Sequence, residues 1–421
     1  MIDNNYDFTL IKAGLLVDGN GGNNLHKASV LIQNGVIKFV GNQESVVAPE
    51  GASVKVLDYG DKTILPGLID CHVHLNGIGD GRVGNDLVTL PDEVLTLQSA
   101  KNARKHLYSG VTTVRDCGAK NNTTFMLRKA VEMGITISPR LILTGRPISI
   151  VGGHLGYFGE EATGEVECVK SVRKLIKQGA DFIKITATGG STITSLPFRP
   201  SFTKKEIQAI TFEAHKMGKH VAAHCSSSEG IINSLDSGVD TIIHGYHVES
   251  DETFNYRPEI TEKFIKNGAF LNPTLFQGRK TVEVLELKQN QGYLTRIESE
   301  MLETAKYRNE KISEIVSKMV SDGVQLACGS DASWTYYKTG DFQSEIFAHV
   351  SVGLSPMQAI VSATKDSARS CWIDDKLGTL SENKIADILV VDGDPTEDIN
   401  NLRNVVDVIS NGEVVDRENF I

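Results

Sequence analysis

The chain of 421 residues has no CxxC pair, no block of like charge and no low-complexity tract. No apolar stretch approaches the ~18 residues of a membrane-spanning helix, which excludes a helical membrane protein. The six cysteines (Cys71, Cys117, Cys168, Cys225, Cys328 and Cys371) are scattered, mostly in or beside apolar runs. That spacing predicts reduced, buried thiols in a cytoplasmic protein. The beginning, "MIDNNYDFTLIKAG", lacks the basic start and apolar core of a secretory leader. The net charge of −10 disfavours nucleic acid and anionic membrane surfaces as partners. No glycine-rich phosphate loop follows an early strand, which argues against a doubly wound nucleotide-binding sheet.

What the chain does contain falls into two patterns. Residues 1–62 read as short strands, "DFTLIKAGLLVDG", "ASVLIQNGVIKFVG" and "ASVKVLDYG", separated by Asn-Gly and Gly-Gly turns. The stretch 371–421 has the same character in "ADILVVDGD" and "VVDVISNGEVV". Neither end has strands enough for a sheet of its own, so the two are expected to pair in one small β-sandwich. Between them, residues 63–370 alternate apolar runs with helical patterns. The runs are "LIDCHVHL", "TTVRDCG", "RLILTG", "FIKITA", "HVAAHC", "TIIHGY", "AFLNPTL" and "QLACGSD". The helical patterns fall at 91–109, 165–178, 203–217, 251–266, 297–322 and 355–370. Eight such units predict an α/β fold, a (β/α)8 TIM-like barrel.

Chemistry in such a barrel gathers at the C-terminal ends of its strands. Those ends carry His72, His74, Lys184, His224, His244 and Asp331. Strand side chains alternate, so His72 and His74 point to one face and Cys71 and Val73 to the other. A pair of histidines one residue apart also occurs in ordinary strands. The joint placement of four histidines and an aspartate selects a metal site instead. His224 and His244 suit one ion, and His72, His74 and Asp331 another. Lys184 lies in the apolar run "FIKITATGG", where an ammonium costs several kcal/mol to desolvate. A salt bridge to Asp331 is one answer. The other is a free amine that adds carbon dioxide and becomes a carbamate, an anion able to bridge two cations.

Together "LPGLIDCHVHL", "GVTTVRDCG", "FIKITATGG", "AAHCSSSEGI", "IIHG" and "GSDA" resemble the amidohydrolase superfamily. The likeness is to its branch of prolidase-like dipeptidases and carboxypeptidases, which also contains imidazolonepropionase-like proteins, and it spans essentially the whole chain. The resemblance implies two divalent cations, usually zinc. It assigns His72, His74 and Asp331 to the first, His224 and His244 to the second, and carboxylated Lys184 (N6-carboxylysine) to the bridge between them. The implied reaction is hydrolysis of an amide by a metal-bridging hydroxide, with Asp331 shuttling the proton to the leaving nitrogen. No serine or cysteine nucleophile is required, and Ser330 and Cys225 are read as packing.

On the substrate side, "VGGHLG" resembles the "TGGH" segment of this branch, which points His154 into the substrate pocket. Arg199, in the long loop "GGSTITSLPFRPSFT", and Arg279, after "LNPTLF", are candidates for a substrate carboxylate. Trp334, Tyr336 and Tyr337 are candidate pocket walls, and His247 is read as a loop residue. His26, His106, His215, His220 and His349 receive no role. Dipeptidase relatives carry a tyrosine after the seventh strand that holds the substrate carboxylate; here the stretch reads "PTLFQGRK", with Phe276. The expected substrate is a small molecule, an N-acyl amino acid or dipeptide. The alternatives are another amide-like bond (lactam, carbamate or arylurea) at the same centre and, remotely, a non-catalytic scaffold. Oligomeric state is left open, a homo-oligomer included.

Overall fold

The computed structural model describes residues 6–46, 48–82 and 84–417. The N-terminal strands are β1 (Phe8–Leu16), β2 (Leu25–Gln33), β3 (Val36–Asn42), β4 (Val54–Asp58) and β5 (Thr63–Pro66). The parallel strands that follow are β6 (Leu68–Val73), β7 (Val111–Asp116), β8 (Arg140–Leu143), β9 (Ile183–Thr186), β10 (Val221–Ser227), β11 (Thr241–Val248) and β12 (Phe270–Asn272). The chain ends with β13 (Ile388–Val391), β14 (Val405–Ser410) and β15 (Glu413–Val414).

The two chain ends meet in one mixed sheet of eight strands, ordered β15-β14-β13-β5-β1-β2-β3 with β4 also on β1. β13 pairs antiparallel with β5, Leu389 opposite Leu65 and Val390 opposite Ile64. Alternation explains its unbroken apolar sequence. Ile388 and Val390 enter a core with Ile11, Val30 and Ile64, while Leu389 and Val391 pack against Leu65, Leu68 and Leu107. The hydrogen bonds of the described residues define one sheet here, where the sequence suggests two layers.

The middle of the chain is a TIM-barrel-like α/β arrangement. Two parallel arcs, β6-β7-β8 and β12-β11-β10-β9, carry the site residues. Bridges extend the arcs toward each other, Ile148 to Ile185, Leu271 to Leu326 and Val73 to Ala332. The expected eighth strand, "QLACGSD", exists only as such bridges, so no closed eight-stranded sheet forms among the described residues. Its backbone groups are divided between neighbours. Cys328 N–H donates to Ser362 O, Cys328 O accepts from Cys71, and Asp331 N–H donates to His72 O.

Helices at Asp92–Tyr108, Glu165–Gln178, Lys204–Lys216 and Arg296–Ser321 lie close to the expected ranges. The expected helix over 251–266 begins only at Pro258, and that over 355–370 is split into Pro356–Ser362 and Lys365–Ser370. Leu275–Asn290 is a further helix, outside the helical patterns named from the sequence. Its first turn is held by Glu345, whose carboxylate accepts from Leu275 N at 2.8 Å and Phe276 N at 2.6 Å, satisfying donors a helix start leaves open. All six cysteines are buried and unpaired with one another. Among the described residues no helix is long and apolar enough to cross a membrane.

Candidate metal centre and substrate cavity

β6 carries His72, and His74 follows directly after its last residue, with the two Nε2 atoms 3.3 Å apart. Asp331 Oδ1 lies 3.5 Å from His72 Nε2 and 3.6 Å from His74 Nε2. All three side chains are buried, and their donor atoms lie within 4.8 Å of one another.

The neighbours assign the ring protons. His74 Nδ1 is 2.8 Å from Gly118 O, which only accepts, so Nδ1 carries the hydrogen. His72 Nδ1 is 3.0 Å from Asn272 Oδ1. The Asn272 amide is oriented by its Nδ2, which donates to Gly329 O at 3.0 Å and Ala327 O at 3.3 Å. Both Nε2 atoms therefore present lone pairs to each other and to a carboxylate. Such a cluster of buried acceptors is repulsive by itself and fits a divalent cation.

The second pair of histidines stands beside the first. The rings of His224 and His244 are 4.6 Å apart and nearly perpendicular, and His244 is 6.0 Å from His72. His224 Nε2 donates to Gly189 O at 3.0 Å, which leaves Nδ1 as its lone pair. His244 Nδ1 faces Thr274 Oγ1 at 2.7 Å and Tyr246 Oη at 3.3 Å, which leaves Nε2 toward the cluster. Both histidines lie within their strands, not at the ends: β10 runs on to Ser227 and β11 to Val248. His244 (φ 72°) and Asp331 (φ 54°) adopt left-handed backbone, rare for side-chain-bearing residues and concentrated at functional sites.

Lys184 is 1% exposed. Burial lowers its ammonium below the usual lysine range. Among the described residues its Nζ has no ion pair; the contacts of Asp331 within 4.0 Å run to His72 and His74. Burial also pushes the Asp331 carboxyl up to about 8.

The cluster opens into a cavity of about 550 Å³ whose walls include all six of these residues with His154, Tyr157 and Trp334. The His154 ring lies 4.6 Å from that of His224, tilted by 50°, and its Nδ1 is 3.0 Å from Thr192 Oγ1. Gly190 is required there, since a Cβ would fall 2.5 Å from the His154 ring. Trp334 and Tyr336 line the cavity, but Tyr337 is buried away from it, its hydroxyl donating to Asp341 O at 2.8 Å.

The two arginines singled out in the sequence are not brought to the cavity. Arg199 is exposed on the covering loop. Arg279 turns outward on its helix and donates to Ser351 Oγ at 2.8 Å and Ser313 Oγ at 3.2 Å. His247 is buried, stacked 5.7 Å from Tyr256. Ser330 does more than pack. Its Oγ donates to Asp70 Oδ2 at 2.5 Å and its N–H to Asp70 Oδ1 at 2.9 Å, pinning the Asp331 segment to β6. Tyr246, Asn272 and Arg308 are site residues that the sequence reading passes over. Tyr246 was within reach, two residues beyond His244 near a strand end. Arg308, deep in a charged helical stretch, carried no signal.

Residues 63–415 match the amidohydrolase family. The ochratoxinase of Aspergillus niger is 25% identical over 423 residues, covering 93% of this chain and 82% of that protein. Among solved structures, a Xaa-Pro dipeptidase with methionine bound in its active site superposes with a TM-score of 0.83 at 30% identity, covering 97% of this chain and 99% of the other. A prolidase in complex with N-methylphosphonate-L-proline gives a TM-score of 0.81 at 27% identity, with coverage of 97% and 99%. With this match over most of its length, the chain belongs to the amidohydrolase family, in its prolidase-like branch, and is a hydrolase of carbon–nitrogen bonds.

Proposed function

We propose that this protein cleaves the amide bond of an N-acyl amino acid or dipeptide at a binuclear metal centre. The observation that carries the reading is the set of buried lone pairs on His72 Nε2, His74 Nε2 and Asp331, with His224 and His244 alongside and an unpaired, charge-disfavoured Lys184 among them. The bound molecules of the two related structures, methionine and a phosphonate analogue built on proline, support an amino acid as the leaving group.

His72, His74 and Asp331 would hold one cation and His224 and His244 the other, with Lys184 as a carbamate shared between them. Two divalent cations, zinc by donor type, supply an acidic water and an electrophile for the carbonyl. Asp331, 3.5 Å from His72 Nε2 and 3.6 Å from His74 Nε2 on the cavity wall, is the carboxylate that would take the proton of the attacking water and return it to the departing nitrogen. His154 is held neutral by burial, its pKa down at about 3. Thr192 Oγ1 accepts from Leu155 N–H at 3.1 Å and lies 3.0 Å from His154 Nδ1. With the Thr192 hydrogen directed to Nδ1, the imidazole would keep Nε2–H as a donor for a substrate oxygen.

Metal analysis and hydrolysis assays on the full chain, loaded with zinc in bicarbonate, test the reading. We expect two ions per chain, hydrolysis of carboxylate-bearing acyl amino acids, and loss of both ions and activity in Lys184→Ala. Two retained ions and full activity in that variant would remove the carbamate from the scheme. A preference for neutral amides, carbamates or arylureas would move the substrate to that class.

A further inference from the structure

The catalytic cavity has a neighbour. A second cavity of about 570 Å³ lies between the helices Leu275–Asn290 and Arg296–Ser321. Tyr246, Gln277, Met301 and Arg308 face both cavities. Since the Tyr246 hydroxyl is 3.3 Å from His244 Nδ1, the second cavity begins one side chain away from the histidine cluster.

Arg308 stands at the junction. Its guanidinium lies 5.3 Å from the centre of the Phe198 ring and 5.8 Å from that of Phe254. Among the described residues no carboxylate pairs with it. The other arginine of the catalytic cavity, Arg82, is already committed to Asp80 at 2.7 Å. The acid of the second cavity, Glu300, is engaged by Arg296 at 3.0 Å. Arg308 is thus an arginine of both cavities with no carboxylate partner among the described residues, and its planar fork suits a carboxylate. Beyond it the wall is formed largely by Leu275, Ile297, Met301, Ala305 and Ile312. Such a surface rewards an apolar group that leaves water.

We infer that Arg308 binds the carboxylate of the substrate's C-terminal residue and that the second cavity receives that residue's side chain, so that large apolar side chains are preferred. The inference rests on the proposed hydrolysis of acyl amino acids. A substrate anchored there has its α-carboxylate at the junction, its side chain between the two helices and its amide carbonyl toward the histidines.

The test uses the zinc-loaded full chain with N-acetyl-L-phenylalanine, N-acetylglycine and N-acetyl-L-phenylalaninamide. The wild type is expected to favour phenylalanine over glycine by on the order of a hundredfold in kcat/KM. Arg308→Met is expected to raise KM for N-acetyl-L-phenylalanine by roughly ten- to a hundredfold, with little change in kcat and little effect on the amide. Arg308→Lys should recover part of that loss, and Ala305→Trp should compress the phenylalanine-to-glycine ratio. Equal turnover of the glycine and phenylalanine substrates overturns the inference, as does an equal KM rise for acid and amide. Should Ala305→Trp not fold, the substrate panel and the Arg308 pair still decide. If a fully metal-loaded protein hydrolyses none of the three, the proposed function falls. Calorimetry of L-phenylalanine binding then decides the inference separately: at least tenfold weaker binding to Arg308→Met supports it, and equal binding ends it.

Discussion

The acceptor that fixes the His72 ring, Asn272, is 200 positions away in the chain. At the scale of single residues, this partner decides whether an imidazole offers a lone pair or a hydrogen to the cluster. Asn272→Ala leaves the buried Nδ1–H without an acceptor and frees the ring to change tautomer. Zinc affinity, measured by competition with a chromophoric chelator, should fall roughly ten- to a hundredfold. Asn272→Asp, which keeps an acceptor oxygen, should lose less. Unaltered affinity in the alanine variant would mean that β6 alone orients His72. His72 and His74 were legible because strand alternation is written in local sequence, and Asp331 because an apolar run leads up to it, although no regular strand forms there. Asn272 was not, since its role is a distance across the fold. Arg199 and Arg279 failed as cavity residues for the same reason: residue type does not say which side of a loop or helix faces the site.

At the scale of elements, the joints between helices and strands carry their own pH dependence. The helix Lys204–Lys216 is tied to the strand layer by His215 Nε2, 2.8 Å from Asp240 Oδ2, and the same oxygen accepts from Val221 N at 2.7 Å. The hydrogen bond to Asp240 raises the His215 pKa above its ordinary value. A raised folded-state pKa means stability that is complete below about pH 6.5 and lost as pH rises through the folded value. His215→Ala should therefore cost more at pH 5.5 than at pH 9. The difference should be about 0.5–1 kcal/mol, discounted because the pair is partly solvent-screened. Urea denaturation at the two pH values measures it, and an equal or reversed cost would show that the pair is not charged in the folded state. Element type was legible where periodicity was long, as in Arg296–Ser321. The start of the helix Leu275–Asn290 was not legible, since it is stabilised by the distant Glu345, a contact no local window contains.

At the scale of the molecule, the last strands complete a sheet begun by the first. β13 lies between β14 and β5, and Leu389 and Val391 close the core over Leu68 and Leu107 beneath the strand that carries His72. A chain ending at residue 385 would expose the partners of four fully buried side chains, Ile388, Leu389, Val390 and Val391. Burial of that kind contributes about 1.5–3 kcal/mol per side chain, comparable in sum to the whole stability of a domain. The truncated chain is expected to be aggregated or protease-sensitive and unable to retain zinc. A cooperative thermal transition and normal metal content in it would refute this role. The milder Val390→Ala should lower stability by about 1–3 kcal/mol without altering metal stoichiometry.

By itself the sequence determined the repeating alternation of strands and helices, the pairing of the two ends and the presence of metal-binding residue types at strand positions. These follow from periodicity and residue chemistry, which act over a few neighbours. The tertiary structure alone decided the ring tautomers, the burial of Lys184 without an ionic partner among the described residues, the direction of Arg279 away from the catalytic cavity and the meeting of two cavities at Arg308. Each of these depends on the distance between side chains far apart in the chain, and packing, not local pattern, sets that distance.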